Sequence, residues 1–519
     1  MTSFSFEPLT PRAFLDRSAY VYPDRPAVID GDRRHTYREL RERSRRAAGG
    51  LAGLGVEPGD RVAVLAPNSY ALLEAHHAVP YAGAALVPMN IRLQPPELAY
   101  MLDHSGAVAL IHDASLAGQA RAAADGVDRD LHLIQAGGDG DRYEALIEGA
   151  DELSVAVDET DLLSINYTSG TTGRPKGVMY SHRGAYLQAL AMAFQAGLRA
   201  DSVYLWTLPM FHCDGWCFTW GATAAGATHL CLRRVDGGEI WRLVREHGVT
   251  HLSGAPTVLN MIANDDAAQD GPAPTTVHVD TGGAPPSPTL LATLADLNMQ
   301  VTHLYGLTES YGPVMICEWQ PEWNDLPHEH QADLRARQGV GNVVSEQPRV
   351  IDDDGADVPA DGETIGEIAL RGNTVMLGYF RDDTTTRDVT EGGWFRTGDL
   401  AVMHPDRYVE LRDRRKDIII SGGENIASVE VEQAIESHPD VLEVAVIAQP
   451  DDRWGEVPVA FVTPKQDRTL EEDDIIAHVR ERIAHFKAPK AVHFGPLPKT
   501  STGKVQKHQL RRRGAPSDG

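Results

Sequence analysis

The sequence has few cysteines, no long apolar run and no recognisable targeting segment. Four cysteines in 519 residues are too few for a disulfide framework, and such scarcity is typical of proteins from a reducing compartment. No apolar run reaches the length that crosses a bilayer. The first residues lack the apolar core of a signal peptide, and the last ones carry no lipidation or peroxisomal signal. We therefore expect a cytoplasmic protein without a membrane span.

Positive charge is also scarce. The chain has 48 Lys and Arg against 74 Asp and Glu, a formal net charge of −26. This balance argues against a nucleic-acid-binding protein, because such proteins need a basic face. An anionic small ligand stays compatible, since a local loop can be positive within an acidic protein. A chain of 519 residues exceeds one compact core, so we expect at least two domains.

Helix and strand signals alternate in the first part of the chain. Thr36 and Glu39 form a capping-box pattern, which predicts a helix running toward Leu54. Strands are predicted at residues 61–66, 85–88 and 108–112, with helical stretches between them. Strands that alternate with helices imply parallel sheets covered by helices.

Four further predicted strands end in polar or glycine-rich loops. They are residues 162–166, 204–209, 277–281 and 301–305, which lead into Tyr167, Phe211, Gly282 and Gly306. In open α/β sheets the ligand crevice lies at the carboxyl ends of the strands. These loops are therefore predicted to line one crevice.

The last third of the chain changes character. Short predicted strands at 367–370, 394–395 and 408–411 indicate a β-rich subdomain, which the charged segment 413–417 ends. A small α+β domain is predicted after it, with strands at 418–420, 443–447 and 459–462 and a helix at 428–436. A second helix is predicted to present one apolar face, formed by Ile475, Ile476, Val479, Ile483 and Phe486.

The strongest local signal is YTSGTTGRPKG at residues 167–177. Glycines let backbone N–H groups approach an anion, hydroxyls donate hydrogen bonds to phosphate oxygens, and a lysine adds positive charge. The loop is not a Walker A motif, because no Gly-Lys-Ser/Thr ends it. A surface turn is the alternative, but a turn needs only one or two such residues. The predicted phosphate contacts are Thr168, Ser169, Gly170, Thr171, Thr172, Gly173 and Lys176.

This loop resembles the phosphate loop of the adenylate-forming superfamily, which contains acyl-CoA synthetases, luciferase and the adenylation domains of peptide synthetases. Six further segments resemble that superfamily's motifs in the same order. They are GGA (282–284), YGLTE (305–309), GWFRTGD (393–399), DRRKD (413–417), SGGENI (421–426) and PKTSTGK (498–504). The resemblance covers essentially the whole chain, and seven ordered matches make chance agreement negligible.

The resemblance implies both a fold and a reaction. The fold is α/β, with a large N-terminal domain of two helix-covered sheets plus a distorted β-barrel at residues 1–412. A hinge at 413–416 and a small mobile α+β domain at 417–519 follow. In the implied reaction a carboxylate attacks the α-phosphorus of ATP, giving acyl-AMP and pyrophosphate. A thiol then attacks the acyl carbon and AMP leaves, after the small domain has rotated about Lys416.

The resemblance also implies roles for single residues. Lys504 enters the site during adenylation and bridges the acyl carboxylate and the α-phosphate, two anions whose repulsion a cation offsets. Glu309 and Thr168 hold a Mg²⁺ ion that bridges to phosphate oxygens. Asp399 and Arg414 bind the ribose. Taken alone, Asp399 could be an ordinary turn residue and Lys504 a solvated surface lysine. The surrounding motifs favour ribose binding by Asp399 and a catalytic role for Lys504. The other implied nucleotide or pantetheine contacts are Gly282, Gly283, Ala284, Tyr305, Gly306, Leu307, Thr308, Lys416, Gly422 and Gly423.

Residues 210–220, MFHCDGWCFTW, resemble the acyl-pocket segment of short- to medium-chain fatty acyl-CoA synthetases. In that family the equivalent of His212 lies beside the acyl carboxylate, and a buried histidine that holds a loop is the alternative. Trp216 is predicted to bound the acyl channel, with plain core packing as the alternative. The other predicted acyl contacts are Gly215, Gly283 and Gly306.

The acceptor thiol stays open at this point. We expect an ATP-dependent ligase that activates a carboxylic acid and transfers it to CoA, and the expected acid is a fatty acid. The alternative acceptor is the phosphopantetheine of an acyl carrier protein. A non-catalytic nucleotide-binding regulator is a third hypothesis, against which the intact Lys504, Glu309 and Asp399 argue. The sequence leaves the acyl chain length, the pathway and the choice between monomer and homodimer undetermined.

Overall fold

The computed structural model describes residues 6–168, 174–283, 286, 288–414, 417–421, 424–451, 453–466, 468–500 and 505–513. The helices within these ranges are α1 (Arg12–Val21), α2 (Tyr37–Gly53), α3 (Tyr70–Tyr81), α4 (Pro95–Ser105), α5 (Ala117–Ala124), α6 (Arg142–Glu148), α7 (His182–Gln195), α8 (Cys213–Trp216), α9 (Phe218–Ala225), α10 (Gly237–His247), α11 (Pro256–Asn264), α12 (Pro288–Asp296), α13 (His328–Ala336), α14 (Asp383–Asp388), α15 (Ser428–Glu436), α16 (Glu472–Arg480) and α17 (Lys507–Arg513). Short 3-10 turns lie at Ala114–Leu116, Asp266–Asp270, Thr308–Ser310, Pro321–Asp325 and His485–Lys487.

The strands in the same ranges are β1 (Pro26–Asp30), β2 (Arg33–Thr36), β3 (Arg61–Leu65), β4 (Ala85–Pro88), β5 (Ala109–Asp113), β6 (His132–Ala136), β7 (Leu162–Tyr167), β8 (Gly177–Ser181), β9 (Val203–Leu205), β10 (Thr228–Leu230), β11 (His251–Gly254), β12 (Val277–Thr281), β13 (Met299–Leu307), β14 (Gly312–Ile316), β15 (Val340–Gly341), β16 (Arg349–Ile351), β17 (Gly366–Leu370), β18 (Gly378–Tyr379), β19 (Thr390–Glu391), β20 (Trp394–Met403), β21 (Val409–Arg414), β22 (Ile419–Ser421), β23 (Glu424–Ile426), β24 (Val441–Asp451), β25 (Gly455–Pro464) and β26 (Ala491–Phe494).

Two large sheets form the framework of the N-terminal part. One has seven strands in the order β18-β8-β7-β4-β3-β5-β6, and the other has nine in the order β15-β14-β13-β12-β11-β9-β10-β1-β2. The central strands pair in parallel, and so does β6 at one edge of the seven-stranded sheet. The outer strands at the other edges pair antiparallel. Parallel neighbours need a crossover, which the intervening helices provide. The prediction of helix-covered parallel sheets is confirmed.

Helices α2, α3 and α9 lie between the two sheets. Their buried side chains share one apolar cluster with Val62 and Val64 of the seven-stranded sheet and with Tyr204 of the nine-stranded sheet. Helices α4 and α5 cover the outer face of the smaller sheet. Helices α10, α11 and α12 cover the outer face of the larger one. The sheets therefore face each other across a helical layer.

The β-rich segment forms a five-stranded antiparallel sheet, in the order β16-β17-β20-β19 with β21 beside β20. It lies where the β-barrel was predicted. Strand β20 is longer than predicted, because its ten residues pair with β17, β19 and β21 in turn. Strand β21 ends at Arg414, at the predicted hinge, and the division into domains at this point stays a prediction.

The C-terminal part is α+β, as expected. Its sheet has the order β23-β22-β25-β24, with β26 pairing parallel to β25. Helices α15 and α16 pack on this sheet through Val431, Ile435, Ile475 and Val479. No helix among the described residues is long and apolar enough to cross a membrane.

Two further predictions extended several residues past the ends of the observed elements. The strand predicted at residues 204–209 ends at Leu205, because the Asn68 amide donates to the carbonyls of Trp206 and Leu208 at 2.7 and 2.9 Å and takes the place of a neighbouring strand. The apolar helix face was predicted to reach Phe486, but α16 ends at Arg480. Phe486 lies in a separate 3-10 turn and is 47% exposed.

Candidate active site

The predicted crevice is formed between the two large sheets. Strands β9, β12 and β13 lie in the nine-stranded sheet, and their parallel pairing through β11 brings their carboxyl ends to one edge. Strand β7 belongs to the seven-stranded sheet instead. Two hydrogen bonds join the two edges. One links the hydroxyls of Ser164 and Tyr311 at 3.3 Å, and in the other the Asp214 N–H donates to the Asn166 side chain at 3.0 Å. The four loops therefore meet, although they do not follow a single sheet.

Several predicted site residues lie outside the described ranges. They are Ser169, Gly170, Thr171, Thr172, Gly173, Ala284, Lys416, Gly422, Gly423 and Lys504. The two ends of the phosphate loop are described. Thr168 donates its N–H to the Lys176 carbonyl at 3.0 Å, and the Lys176 N–H reaches the Thr168 hydroxyl at 3.4 Å. These two bonds hold the ends of the loop together.

Lys176 and Glu309 are connected through a tyrosine that the sequence did not single out. The Lys176 ammonium lies 4.8 Å from the centroid of the Tyr379 ring, a cation–π contact. The Tyr379 hydroxyl donates to Glu309 Oε1 at 2.8 Å. Burial, together with the negative charge of Glu309, raises the pKa of Tyr379 well above its ordinary value. Tyr379 therefore stays a neutral donor that orients Glu309 beside the phosphate loop.

The segment around Glu309 is fixed through its backbone. The Tyr180 hydroxyl donates to the Thr308 carbonyl at 2.5 Å, and the Met376 N–H donates to the Glu309 carbonyl at 2.8 Å. The hydroxyl of Ser310 closes the 3-10 turn by accepting from the Leu307 N–H at 2.8 Å. The backbone of the predicted Thr308 and Leu307 positions is thus held rigidly at the end of β13.

The predicted ribose ligands meet on neighbouring strands. Asp399 of β20 lies opposite Arg414 of β21 in the antiparallel register. The Tyr305 hydroxyl donates to Asp399 Oδ2 at 2.7 Å, and the Asp399 side chain is buried. Tyr305 and Asp399 are 94 residues apart, and the structure brings them into direct contact, so two of the predicted motifs form one unit.

Two predicted glycines permit close backbone approach. A Cβ on Gly306 would overlap the carbonyl oxygen of Gly312, and a Cβ on Gly282 would lie 2.9 Å from the Leu304 carbonyl oxygen and 3.2 Å from the Trp216 ring. Gly283 follows with φ +88, a conformation that favours glycine. The Trp216 ring therefore lies directly on the loop that follows β12.

The predicted acyl segment contains a left-handed turn, which includes the short element α8. Residues Cys213, Asp214, Gly215, Trp216 and Cys217 all have positive φ, between 43° and 62°. Four of them are not glycine, and each such residue costs roughly 1–2 kcal/mol in this conformation. Strain of this kind persists only where the surroundings determine it, and it clusters at functional sites. A Cβ on Gly215 would lie 2.7 Å from the Trp206 ring, so glycine is required there for space as well.

Asp214 supplies the hydrogen bonds that hold this turn. Its side chain is fully buried, accepts from the Asn166 amide and accepts from the Tyr311 hydroxyl at 3.1 Å. Its carbonyl accepts from the Thr219 hydroxyl at 3.1 Å. Burial raises the pKa of the Asp214 carboxyl, although His76 and these donors oppose the rise. The sequence did not identify this role, since an Asp before a Gly is also typical of an ordinary turn.

His212 begins the left-handed turn. Its carbonyl accepts from the Gly215 N–H at 2.9 Å, and the residue is half-buried. It therefore lies at the accessible start of the turn, while the core of the turn is buried. Its contact with the acyl carboxylate stays a prediction, as do the acyl contacts of Gly215, Trp216, Gly283 and Gly306.

Comparison with known proteins agrees with this geometry. Residues 15–380 match the family model of the AMP-binding enzymes, and residues 430–504 match the model of the AMP-binding enzyme C-terminal domain. The chain is 46% identical to a peroxisomal acetate/butyrate–CoA ligase of Arabidopsis thaliana, over 98% of this chain and 95% of that protein. It is 42% identical to a peroxisomal benzoate–CoA ligase of the same plant, over 97% and 93%. Among solved structures, an anthranilate CoA ligase in complex with anthranoyl-AMP superposes with a TM-score of 0.87 at 25% identity, over 98% of each chain.

Proposed function

This chain belongs to the family of AMP-binding enzymes, and we propose that its substrate is a short- to medium-chain aliphatic acid. It is an acyl-CoA synthetase, which activates a carboxylic acid with ATP and forms its CoA thioester. The observation that carries this proposal is the position of Trp216. Its ring lies on Gly282 at the end of β12, and the left-handed turn fixes it there. We expect a large ring at this point to limit the length of acyl chain that the crevice accepts.

The phosphate end of ATP is assigned to the group formed by Thr168, Lys176, Tyr379 and Glu309. Lys176 supplies positive charge where the β- and γ-phosphates would lie. Glu309 would otherwise repel these phosphates. A Mg²⁺ ion would resolve this conflict, because Mg²⁺ in nucleotide sites is held by one or two carboxylates plus phosphate oxygens. The Glu309 carboxylate, which Tyr379 orients, would hold such an ion together with the Thr168 hydroxyl, and the bound ion would neutralise charge on the departing pyrophosphate.

The ribose end is assigned to Asp399, with Tyr305 as its support. A carboxylate can accept hydrogen bonds from both ribose hydroxyls, and the Tyr305 hydroxyl on Oδ2 fixes its rotamer. Arg414 follows from the register as the neighbouring donor. This pair holds the α-phosphorus at a defined distance from the phosphate loop, so that an acid in the crevice attacks in line.

Lys504 and the small domain complete the proposed cycle. Lys504 offsets the repulsion between the acyl carboxylate and the α-phosphate during adenylation. The small domain then rotates about Lys416, withdraws Lys504 and brings Gly422 and Gly423 to the pantetheine channel. The family resemblance of these segments supports the two steps.

A panel of acids tests the proposal. Pyrophosphate release is measured with purified full-length protein, ATP, MgCl₂ and CoA, using linear acids from acetate to palmitate and benzoate as an aromatic control. We expect kcat/KM to be highest at eight carbons or fewer. Highest values for palmitate or benzoate would contradict the proposed substrate. Replacing CoA by a phosphopantetheinylated carrier protein tests the alternative acceptor. A higher turnover with the carrier protein than with CoA would favour that alternative.

A further inference from the structure

Asp280 is a buried carboxylate that none of the assigned steps uses. It lies one residue before the end of β12, whose last residue, Thr281, precedes the Gly282 loop. Val277 and Val279 of the same strand point into the cluster under α10, α11 and α12. Side chains alternate along a strand, so Asp280 points to the opposite face of the sheet. Asp280 is 7% exposed.

Within the described part of the chain the Asp280 carboxylate has no hydrogen-bond or ion-pair partner. Burial raises the pKa of Tyr204 and the negative charge of Asp280 adds to this rise, but the Tyr204 hydroxyl donates its proton to the Ser253 hydroxyl at 2.8 Å. Burial alone raises the pKa of the Asp280 carboxyl to about 7. Buried polar groups in proteins nearly always have partners, and an exception calls for an explanation.

The face to which Asp280 points is the acyl side of the crevice. Tyr204, Trp206 and Trp216 belong to the apolar cluster on this side of the nine-stranded sheet, and the Trp216 ring lies on Gly282. Ser253 and Thr302 flank Asp280 in the parallel register of β11 and β13. A row of polar side chains thus crosses the sheet beneath aromatic rings, at the place where the proposed function puts the acyl chain.

We propose that Asp280 binds a hydroxyl group on the acyl chain of the substrate, so that the protein prefers hydroxy acids to the corresponding unsubstituted acids. This inference rests on the proposed function, because that function places the acyl chain on this face. The hydroxyl supplies the donor that the carboxylate lacks. A site built to bind a hydroxyl discriminates strongly against an analogue without it, because the buried group is then left unpaired.

A hydroxyl fits better here than an ammonium group. Asp280 is flanked by the neutral hydroxyl residues Ser253 and Thr302, and the Tyr204 hydroxyl lies on Ser253. Moving an ammonium ion from water into this buried position costs several kcal/mol per ion, and one carboxylate must offset the whole cost. A hydroxyl carries no such penalty, and it can pair with the carboxyl in either protonation state.

Matched acids test this inference with the purified full-length protein. CoA-thioester formation is measured with butyrate, 4-hydroxybutyrate and 4-aminobutyrate, and with the propanoate and pentanoate pairs bearing a terminal hydroxyl. The variants are Asp280→Leu, which removes the acceptor, and Asp280→Asn, which keeps the size and one acceptor oxygen. Asp296→Asn changes an exposed carboxylate on α12 and serves as the matched control. Thermal melting of each variant reports whether it folds.

For the wild type and Asp296→Asn we expect at least one hydroxy acid to exceed its unsubstituted partner by about 10- to 100-fold in kcat/KM. Asp280→Leu should reverse this preference, with lower kcat/KM for the hydroxy acid and higher kcat/KM for the unsubstituted one. Asp280→Asn should keep part of the preference for the hydroxy acid. If the leucine variant does not fold, the asparagine variant provides the test. The same ratio in the wild type and the Asp280 variants would overturn the inference, and a preference for 4-aminobutyrate would overturn the choice of a hydroxyl. No thioester with any acid would refute the proposed function itself and, with it, this inference.

Discussion

Replacing Asp280 should stabilise the protein, and the gain should grow with pH. The cause is the shift of the Asp280 pKa from 3.8 to about 7 on folding, which burial produces. Below pH 3.8 the carboxyl is neutral in both states and costs nothing. Between pH 3.8 and 7 it ionises on unfolding but stays protonated when folded, so stability falls as pH rises. Above pH 7 the cost is constant.

The size of the effect follows from the same two values. Three pKa units correspond to about 4 kcal/mol above pH 7, of which about 3 kcal/mol develops between pH 5 and pH 8. Asp280→Leu removes this cost, so its free energy of unfolding should exceed that of the wild type by more at pH 8 than at pH 5. For a domain of this size the difference corresponds to a few degrees in Tm.

The pH dependence of the free energy of unfolding is measured by thermal and urea unfolding at half-unit steps from pH 5 to pH 8. The proteins compared are the wild type, Asp280→Leu and the control Asp296→Asn. We expect the gap between Asp280→Leu and the wild type to widen with pH, and that between Asp296→Asn and the wild type to stay constant. A constant gap for both variants would refute the reasoning, because it would mean that Asp280 has a partner or stays hydrated in the folded protein. Stabilisation with loss of the hydroxy-acid preference is the trade-off expected at a binding site.

Three other changes test single parts of the site. Lys504→Ala should lose most acid-dependent pyrophosphate release yet still form thioester from supplied acyl-AMP, and equal loss of both half-reactions would exclude the proposed role. Tyr379→Phe removes the donor to Glu309 and should lower kcat of adenylation about 10-fold and raise the Mg²⁺ concentration for half-maximal rate; unchanged Mg²⁺ dependence would argue against an orienting role. Gly306→Ala should lower the free energy of unfolding by about 1–3 kcal/mol, because its Cβ would overlap the Gly312 carbonyl. Urea unfolding measures this change, and a variant as stable as the wild type would show that the strand can shift.

Local signals were enough to predict the elements that carry the site. Strand β12 and helix α15 have the predicted bounds, residues 277–281 and 428–436, because glycine or polar residues border a short apolar or amphipathic run. The capping box at Thr36 also forms as predicted. The motifs located the phosphate loop and the segments around Tyr305 and Asp399, since the order of motifs along the chain is itself informative.

The contacts that complete the site depend on tertiary structure. Tyr379 reaches Glu309 across 70 residues, from the two-residue strand β18, for which the sequence has no local signal. The left-handed turn could not be predicted, because Cys213, Asp214 and Trp216 seldom adopt positive φ and do so here only through packing and the bonds of Asp214. The sequence places Asp280 in the predicted strand at residues 277–281, and its lack of a partner among the described residues becomes visible only when the neighbouring strands are in place.

In the proposed reaction this protein joins the acid to AMP before the thiol attacks. The most direct test uses the preferred acid labelled with ¹⁸O in both carboxylate oxygens, together with ATP and CoA, and mass spectrometry of the products. Attack of the carboxylate on the α-phosphorus predicts one ¹⁸O in the phosphate of AMP and none in pyrophosphate. Label in pyrophosphate or inorganic phosphate, or AMP without label while the thioester forms, would contradict the account.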